Sequence, residues 1–310
     1  MTAAIGVLCA RSRIEEKQLI AALAEAGAPA MLLDPTCPLP FTPPPGSPGR
    51  PGMPGRLITP DTSMTSVLVD RCQDRALASA VLPVWRGLGA TVLSAGVAAT
   101  GSRAVIAATL SASGLPRPEA FLATDDDAAM ATLVGLGFPA TLLPLATDEP
   151  AVTLHDQDTA EAVFEHRGVL GGVSERVAVI QAGVPAAGDT TTVLVVGGVA
   201  VAATDASWVA VEPDIAPLAI ATARALNADI VGVTLAMIDG EIVIWDVQPV
   251  PEFREMSALG ATSAADAIAR LASVTLAPVS SEEDVPVEIV AVASDPNLWR
   301  EVTGGVALTA

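Results

Sequence analysis

The first hundred residues alternate between short apolar runs and segments with helical spacing. The apolar positions of the first predicted helix, 13–27, are Ile14, Leu19, Ile20 and Leu23. A second helix is predicted over 74–89, and the apolar runs at 3–10, 29–33, 66–70 and 91–94 are predicted strands. This strand–helix–strand order predicts parallel pairing with right-handed crossovers.

The remainder of the chain predicts helices combined with antiparallel strands. Helices are predicted at 101–114, 158–166, 214–227 and 261–274, and buried strands at 139–145 and 176–184. Two hairpins are also predicted, over 190–211 with a turn at Gly197-Gly198 and over 230–250 with a turn at Asp239-Gly240, which are residue pairs typical of tight hairpin turns. A parallel α/β start is therefore expected to be followed by α+β structure.

Another helix is predicted to begin after Thr124, which we expect to be its N-cap. Asp125, Asp126 and Asp127 then fall in its first turn, where carboxylates complement the helix dipole. A metal cluster is disfavoured because consecutive residues of a helix point in different directions.

Two segments have a composition that predicts irregular structure or an addition to the domain. Proline and glycine dominate residues 35–62, which predicts an irregular loop. Residues 276–310 form an acidic C-terminal extension in which VEIVAVAS is a candidate added strand.

The 310-residue chain is strongly acidic. It carries 16 basic and 35 acidic residues, a net charge of −19. Such acidity disfavours nucleic acid and anionic membranes as partners, since both attract basic surfaces. The three widely spaced cysteines, Cys9, Cys37 and Cys72, resemble neither a disulfide framework nor a zinc site. They predict reduced thiols and a cytoplasmic protein.

Eight segments in order resemble the ATP-grasp superfamily, in particular its LysX/RimK branch of carboxylate–amine ligases. They are SRIEEKQLIAAL, LVDRC, GSRAVIAATLSASGLPRPEAFLAT, GFPATLLP, FEHRGVLGG, VAVIQAGV, TTVLVVGGVAVAA and WDVQPVPEFRE. The resemblance implies an N-terminal Rossmann-like (pre-ATP-grasp) domain at 1–98. It also implies a central ATP-grasp lobe at 99–185 and a C-terminal lobe at 186–275.

The resemblance also implies a chemistry that uses ATP and Mg²⁺. Such ligases activate a carboxylate as an acyl phosphate, which an amine then attacks. The family's two phosphate-binding lysines fall at Arg103 and Leu143, and its glycine-rich phosphate loop falls at 146–152, ATDEPAV. The chain holds a single lysine, Lys17, in the first predicted helix, so no shift of register restores these lysines.

Other positions of the family site are kept only in part. The adenine hinge falls at Gln181, Ala182, Gly183 and Val184. Of the metal-binding positions, Asp246 and Gln248 are candidate ligands, whereas Thr192 and Thr234 replace an arginine and an acid of the family. Arg254 matches a basic residue that helps to hold the acidic substrate and is the candidate catalytic residue.

Three interpretations stay open. The first is a pseudoenzyme that binds a ligand or partner, because the phosphate and metal positions are lost together. The second is an active but divergent ligase, joining an amino acid to an acidic substrate or carrier protein, with Arg103, Arg167 and Arg176 replacing lysines. The third is a module that binds a cationic or neutral small molecule. We favour the first, since electrostatic contacts carry this chemistry.

The resemblance also bears on partners. Family members often form homodimers or tetramers, so a homo-oligomer is expected. An active paralogue or a carrier protein is the other partner that the resemblance implies.

Overall fold

The computed structural model of the protein describes residues 4–39, 65–170 and 176–276. Beyond 35–39, the predicted proline- and glycine-rich loop lies outside the described residues. So does the predicted C-terminal extension after Leu276, with its candidate strand. Within the described ranges, no helix is both long enough and apolar enough to cross a bilayer.

The N-terminal part is a parallel sheet of order β2-β1-β3-β4. Its elements are β1 (Ala4–Leu8), α1 (Ile14–Glu25), β2 (Ala30–Leu33), β3 (Thr65–Asp70), α2 (Arg75–Gly87) and β4 (Thr91–Leu93). Successive residues such as Val7 and Leu8, or Val67 and Leu68, are all buried. Both faces of the sheet are thus covered, as expected for parallel strands, and the predicted parallel pairing is confirmed.

The central part is an antiparallel sheet of order β5-β8-β6-β7. Its elements follow a short 3₁₀ turn (Gly96–Thr100) and are α3 (Arg103–Ala112), β5 (Ala120–Ala123), α4 (Asp126–Leu136), β6 (Ala140–Pro144), β7 (Val152–Leu154), α5 (Gln157–Leu170) and β8 (Ala178–Ala182). Strand β6 is buried along its whole length, which explains its unbroken apolar sequence.

The C-terminal part is a five-stranded sheet of order β12-β11-β9-β10-β13. Its elements are β9 (Thr190–Val196), β10 (Val199–Ala203), α6 (Ala206–Val211), α7 (Ile215–Ala225), β11 (Ile230–Ile238), β12 (Glu241–Gln248), β13 (Ser257–Ala258) and α8 (Ala264–Leu276). Both predicted hairpins are confirmed: Gly197, Gly198, Asp239 and Gly240 all have positive φ angles, as type I′ turns require.

The apolar core is shared between the N-terminal and C-terminal sheets. Helix α8 supplies Ile268 and Ala272 to a cluster that also contains Val7 of β1, Leu23 of α1 and Leu194 of β9. Each of the three sheets falls within one predicted segment, but this cluster crosses between segments. The exact domain boundaries stay a prediction.

Two local predictions are wrong. The second strand of the hairpin predicted over 190–211 stops at Ala203 and does not continue to 211, because the Asp205 side chain accepts hydrogen bonds from the Ser207 and Trp208 amides and starts α6. The N-cap of α4 is Asp125 and not Thr124. Asp125 has the extended backbone of a cap, and its carboxylate accepts the Ala128 amide at 2.8 Å.

Replacing Asp125 by alanine should lower the free energy of unfolding by about 1 kcal/mol, the usual effect of losing an N-cap. Thr124→Ala is the matched control, since Thr124 is exposed and lies outside the helix. Urea denaturation of both variants checks this. Equal losses in the two would show that the cap has been assigned to the wrong residue.

Candidate functional site

The loop after β6 is tied to the start of α3. The Arg103 amide donates to the Leu145 carbonyl at 2.8 Å, and the Thr147 amide donates to the Gly101 carbonyl at 2.9 Å. Ser102 and Ala146 form an isolated β-bridge between these contacts. The start of the predicted phosphate loop, 146–152, is therefore already hydrogen-bonded to the backbone before α3.

Arg103 holds the rest of this loop. Its Nη1 donates to the carbonyls of Pro144 at 3.0 Å, Ala146 at 2.6 Å and Glu149 at 3.0 Å, and its Nη2 reaches that of Thr147 at 3.3 Å. We call these four oxygens the carbonyl cage.

The same guanidinium also joins the loop to β12. Its Nη2 and Nε lie 3.0 and 3.3 Å from the two carboxylate oxygens of Asp246, a bidentate ion pair. Arg103 is 5% exposed. One side chain therefore connects α3, the loop after β6 and β12.

The polarity of the loop is opposite to that of a phosphate-binding loop. A phosphate site presents backbone N–H groups to the anion. Here the carbonyls of four residues face a cation, while the amides of Thr147 and Glu149 donate to the Gly101 and Ala146 carbonyls. The charge this arrangement accommodates is positive, and Arg103 supplies it.

Leu143, the other predicted phosphate-binding position, lines an almost filled pocket. The side chain is 4% exposed and faces a cavity of about 20 Å³. Ile106, Leu110, Val179 and Trp245 line the same cavity. A space of that size holds about one water molecule, far less than a purine base. We call it the filled pocket.

The predicted adenine hinge lies at the end of β8, beside the filled pocket. Gln181 is buried and its Nε2 donates to the Trp245 carbonyl at 3.4 Å. The Ala182 amide donates to the Glu119 carbonyl, and the Gly183 carbonyl accepts from the Thr141 hydroxyl. Val184 follows in the loop. The Ala182 N–H and the Gly183 carbonyl are therefore engaged within the protein.

The predicted metal positions are close to one another but do not form a metal site. Asp246 is paired with Arg103, and Gln248 donates to the Thr234 hydroxyl at 3.4 Å, which lies 2.9 Å from the Thr192 hydroxyl. Two threonines and an amide are weak ligands for Mg²⁺, which prefers carboxylates and water. Across the described ranges, no group of three or more His, Cys, Asp or Glu side chains could hold a metal ion.

An open cleft of about 600 Å³ adjoins the carbonyl cage. Arg103, Asp246, Gln248, Asp148, Glu149 and Glu252 are among its lining residues. Neither Asp148 nor Glu149 forms an ion pair within the part of the chain that the structure describes. The cleft therefore presents unneutralised carboxylates, which favours cationic or neutral ligands over phosphates.

Arg75 is a cleft residue that the sequence interpretation missed. It lines the open cleft, is 3% exposed, and pairs with Asp70 at the end of β3. Cys72 lies between them along the chain, and burial together with the Asp70 charge raises the pKa of its thiol to about 11. The thiol is thus protonated at neutral pH and is not an activated nucleophile. Asp70, the acid that ends the apolar strand in LVDRC, was the available signal for a buried basic partner.

The other candidate arginines lie elsewhere. Arg254 is half-exposed, pairs with Glu255 at 2.7 Å and lines a separate hollow between α1 and α8. Arg176 donates to the Gly168 carbonyl, and Arg167 lines a neighbouring cleft with Arg75. The structure therefore brings Arg103, Leu143, Gln181 and Asp246 together but keeps Arg254 apart from them.

Several solved structures with similar folds are ATP-grasp proteins. A RimK domain ATP-grasp protein from Sphaerobacter thermophilus DSM 20745 superposes with a TM-score of 0.65 at 23% identity, covering 87% of this chain and 100% of that one. The chain has the ATP-grasp fold. The resemblance inferred from sequence is therefore confirmed at the level of fold, although no family model matches the sequence.

Two further ATP-grasp structures contain nucleotide. The ligase PsnB, complexed with minimal precursor, Mg and ADP, matches with a TM-score of 0.60 at 15% identity over 88% of this chain and 98% of that one. D-alanine–D-alanine ligase from Bacillus anthracis, complexed with ATP, matches with a TM-score of 0.62 at 13% identity over 89% and 97%. At these low identities the matches show a shared fold.

The residues of this ATP-grasp fold do not fit a magnesium nucleotide. The predicted lysine positions hold a caged arginine and a leucine, and the loop presents carbonyls. The candidate metal carboxylate, Asp246, is already paired. Phosphoryl transfer depends on preorganised positive charge and bridging metal ions, so none of its steps can be assigned to these groups.

Proposed function

We propose that this ATP-grasp-fold protein is a non-catalytic member that acts by binding a ligand or a protein partner. The single observation that carries the proposal is the Arg103 cage. The guanidinium at the predicted phosphate-binding position is already engaged by four carbonyls and Asp246. A nucleotide would have to displace these contacts and bring its own negative charge towards Asp148 and Glu149.

The open cleft is the proposed ligand site. Its volume of about 600 Å³ lies within the range of small-molecule sites. Its unpaired carboxylates favour a cationic or neutral molecule over an anionic one. The proposal combines two interpretations of the sequence, the pseudoenzyme and the small-molecule-binding module. The fold would serve for binding, at a cleft beside the predicted nucleotide position.

A calorimetric titration with ATP and MgCl₂ tests the proposal. We expect no binding heat, together with a cooperative thermal melt that is unchanged by the nucleotide. A ligand at a hundred times its Kd would stabilise the protein by about 2.7 kcal/mol, so the melt is a sensitive second readout. The nucleotide without Mg²⁺, and MgCl₂ alone, are the controls.

Magnesium-dependent binding of ATP in the sub-millimolar range would contradict the proposal. It would support the alternative, a divergent ATP-dependent carboxylate–amine ligase. ADP release with acidic amino acids and amines would then identify its substrates.

We further propose a reduced, cytoplasmic setting and an oligomeric assembly. Cys9 and Cys72 are buried free thiols and Cys37 is a partly buried free thiol, which supports a reducing compartment. A homo-oligomer, an active paralogue or a carrier protein are the proposed partners. Light scattering of the purified chain, alone and with a candidate paralogue, measures the assembly directly.

A further inference from the structure

An apolar groove adjoins the hairpin formed by β9 and β10. It runs between β10 and α8, measures about 530 Å³, and shares no lining residue with the carbonyl cage, the filled pocket or the open cleft. That volume falls within the range of small-molecule sites. We call it the β10–α8 groove.

The walls of the β10–α8 groove are aliphatic and unusually exposed. Val199 and Val201 line it from β10, and Leu271 and Val274 line it from α8. Val199 is 58% exposed and Val274 is 69% exposed. Exposed apolar side chains that converge on one concavity are typical of binding sites, whereas isolated ones are ordinary surface.

One positively charged side chain lines this groove. Within the described residues, Arg270 is the single charged side chain that lines it. Ala267, Arg270 and Val274 are spaced three and four apart on α8, which places the guanidinium on the helix face that forms the wall.

Arg270 has no ion-pair partner among the described residues, although the protein has 35 acidic residues and only 16 basic ones. An arginine without a carboxylate in so acidic a protein leaves its planar donors available for an external anion.

We infer that the β10–α8 groove binds an apolar monocarboxylate, with its aliphatic chain against Val199, Val201, Leu271 and Val274 and its carboxylate on Arg270. Charge complementarity selects this occupant, since a cation would meet Arg270 and a polyanion would meet the acidic surface. The inference does not depend on the proposed function, because the two sites share no residue.

Titration with medium-chain acids below their micelle concentrations tests this. Decanoate should bind the full chain, and octanoate, two methylenes shorter, should bind up to about fifteenfold more weakly. Decanol should bind more weakly than decanoate, and decylamine most weakly, since only the head group differs among the three. Calorimetry on each probe gives the affinities.

Variants separate the two halves of the site. Arg270→Gln should weaken decanoate binding about fivefold, as for a partly exposed ion pair, and leave decanol unchanged. Arg270→Lys should retain most of the affinity, and Val274→Glu should weaken both probes. Arg270 and Val274 are exposed, so folding should be unaffected. Arg224→Gln, at an exposed arginine of α7, is the matched control and should bind like the wild type.

Three results would overturn the inference: no decanoate binding by the wild type, decylamine binding as tight as decanoate binding, or an unchanged decanoate affinity in Arg270→Gln. The first would show that the groove does not bind the acid, and the other two that the Arg270 charge does not contribute to binding. A result for ATP, positive or negative, has no bearing on these outcomes.

Discussion

Replacing Arg103 by alanine is expected to lower the free energy of unfolding by about 3–5 kcal/mol, the range for breaking a buried ion pair at one partner. The variant leaves the Asp246 carboxylate without its cation and the four cage carbonyls without their donor. For a domain of this size, a loss of that magnitude lowers Tm by about 10 °C. Chemical denaturation and a thermal melt measure it.

Arg103→Lys should lie between the alanine variant and the wild type. A lysine keeps the positive charge but has three donors on one nitrogen, and it cannot reproduce the bidentate contact with Asp246. Arg254→Ala is the matched control, because Arg254 forms an exposed pair with its neighbour Glu255. An equal Tm for Arg103→Ala and Arg254→Ala would show that the cage does not hold the loop. The loop would then be free to rearrange around a phosphate.

The Arg103 cage stabilises this ATP-grasp fold with a charge that belongs to the chain itself. Charge brought by a ligand cannot stabilise the empty protein, whereas a guanidinium built into the chain does so permanently. The filled pocket beside it is likewise closed by the protein's own side chains, among them Leu143 and Trp245. Both features favour a closed junction between the lobes.

The fold was largely predictable from the sequence, because its signals are local. Apolar runs marked the strands, Gly197-Gly198 and Asp239-Gly240 marked the hairpins, and the element order carried the resemblance. Two elements that were not predicted are short: β13 has two residues and α6 has six, with Asp205 as its N-cap. No periodicity extends over so few positions.

The contacts of the candidate site were not predictable from the sequence. The family resemblance singled out Arg103 and Asp246 separately, but nothing local indicated that they would pair, since they lie 143 residues apart. The carbonyl cage could not be predicted from the sequence either, because every residue has a backbone carbonyl and its direction has no sequence signature. Whether a loop presents N–H or C=O groups depends on dihedral angles that side-chain identity constrains weakly.

Helix α1 shows a related limit. Ile14 was expected on its buried face but is 47% exposed, whereas Glu16 is fully buried. Glu16 lies three residues before Leu19 and seven before Leu23, so it shares their face of the helix. A hydrophobic criterion passes over a charged residue at a core position, because burying it depends on partners that are distant in sequence.

Those partners form a buried charge cluster around Glu16. Its carboxylate accepts from the Arg71 Nε at 3.1 Å, from the Arg13 Nη2 at 3.0 Å and from the Arg13 amide at 3.0 Å. Arg71 is also buried, donates to the Pro251 carbonyl and stacks over the Phe253 ring at 5.0 Å. The cluster therefore joins α1, the end of β3 and the segment that follows β12.

Replacing Glu16 by glutamine should cost about 3–5 kcal/mol at neutral pH, since two guanidinium groups lose the carboxylate between them. Burial alone raises the pKa of Glu16, but the hydrogen bonds and charges of Arg13 and Arg71 outweigh it and hold the pKa below its ordinary value. Ionised Glu16 thus stabilises the fold above about pH 4.3, the unfolded value, and this stabilisation is lost as pH falls towards the folded pKa.

The difference between wild type and Glu16→Gln should consequently be constant from neutral pH to about pH 5 and shrink at lower pH, because only the wild type loses a charge there. Urea denaturation at a series of pH values measures both curves. Glu25→Gln, on an exposed carboxylate near the end of the same helix, should run parallel to the wild type throughout. If Glu16→Gln also ran parallel, the buried contacts would owe their strength to shape and hydrogen bonding, and the cluster would hold the three segments together without relying on its charge.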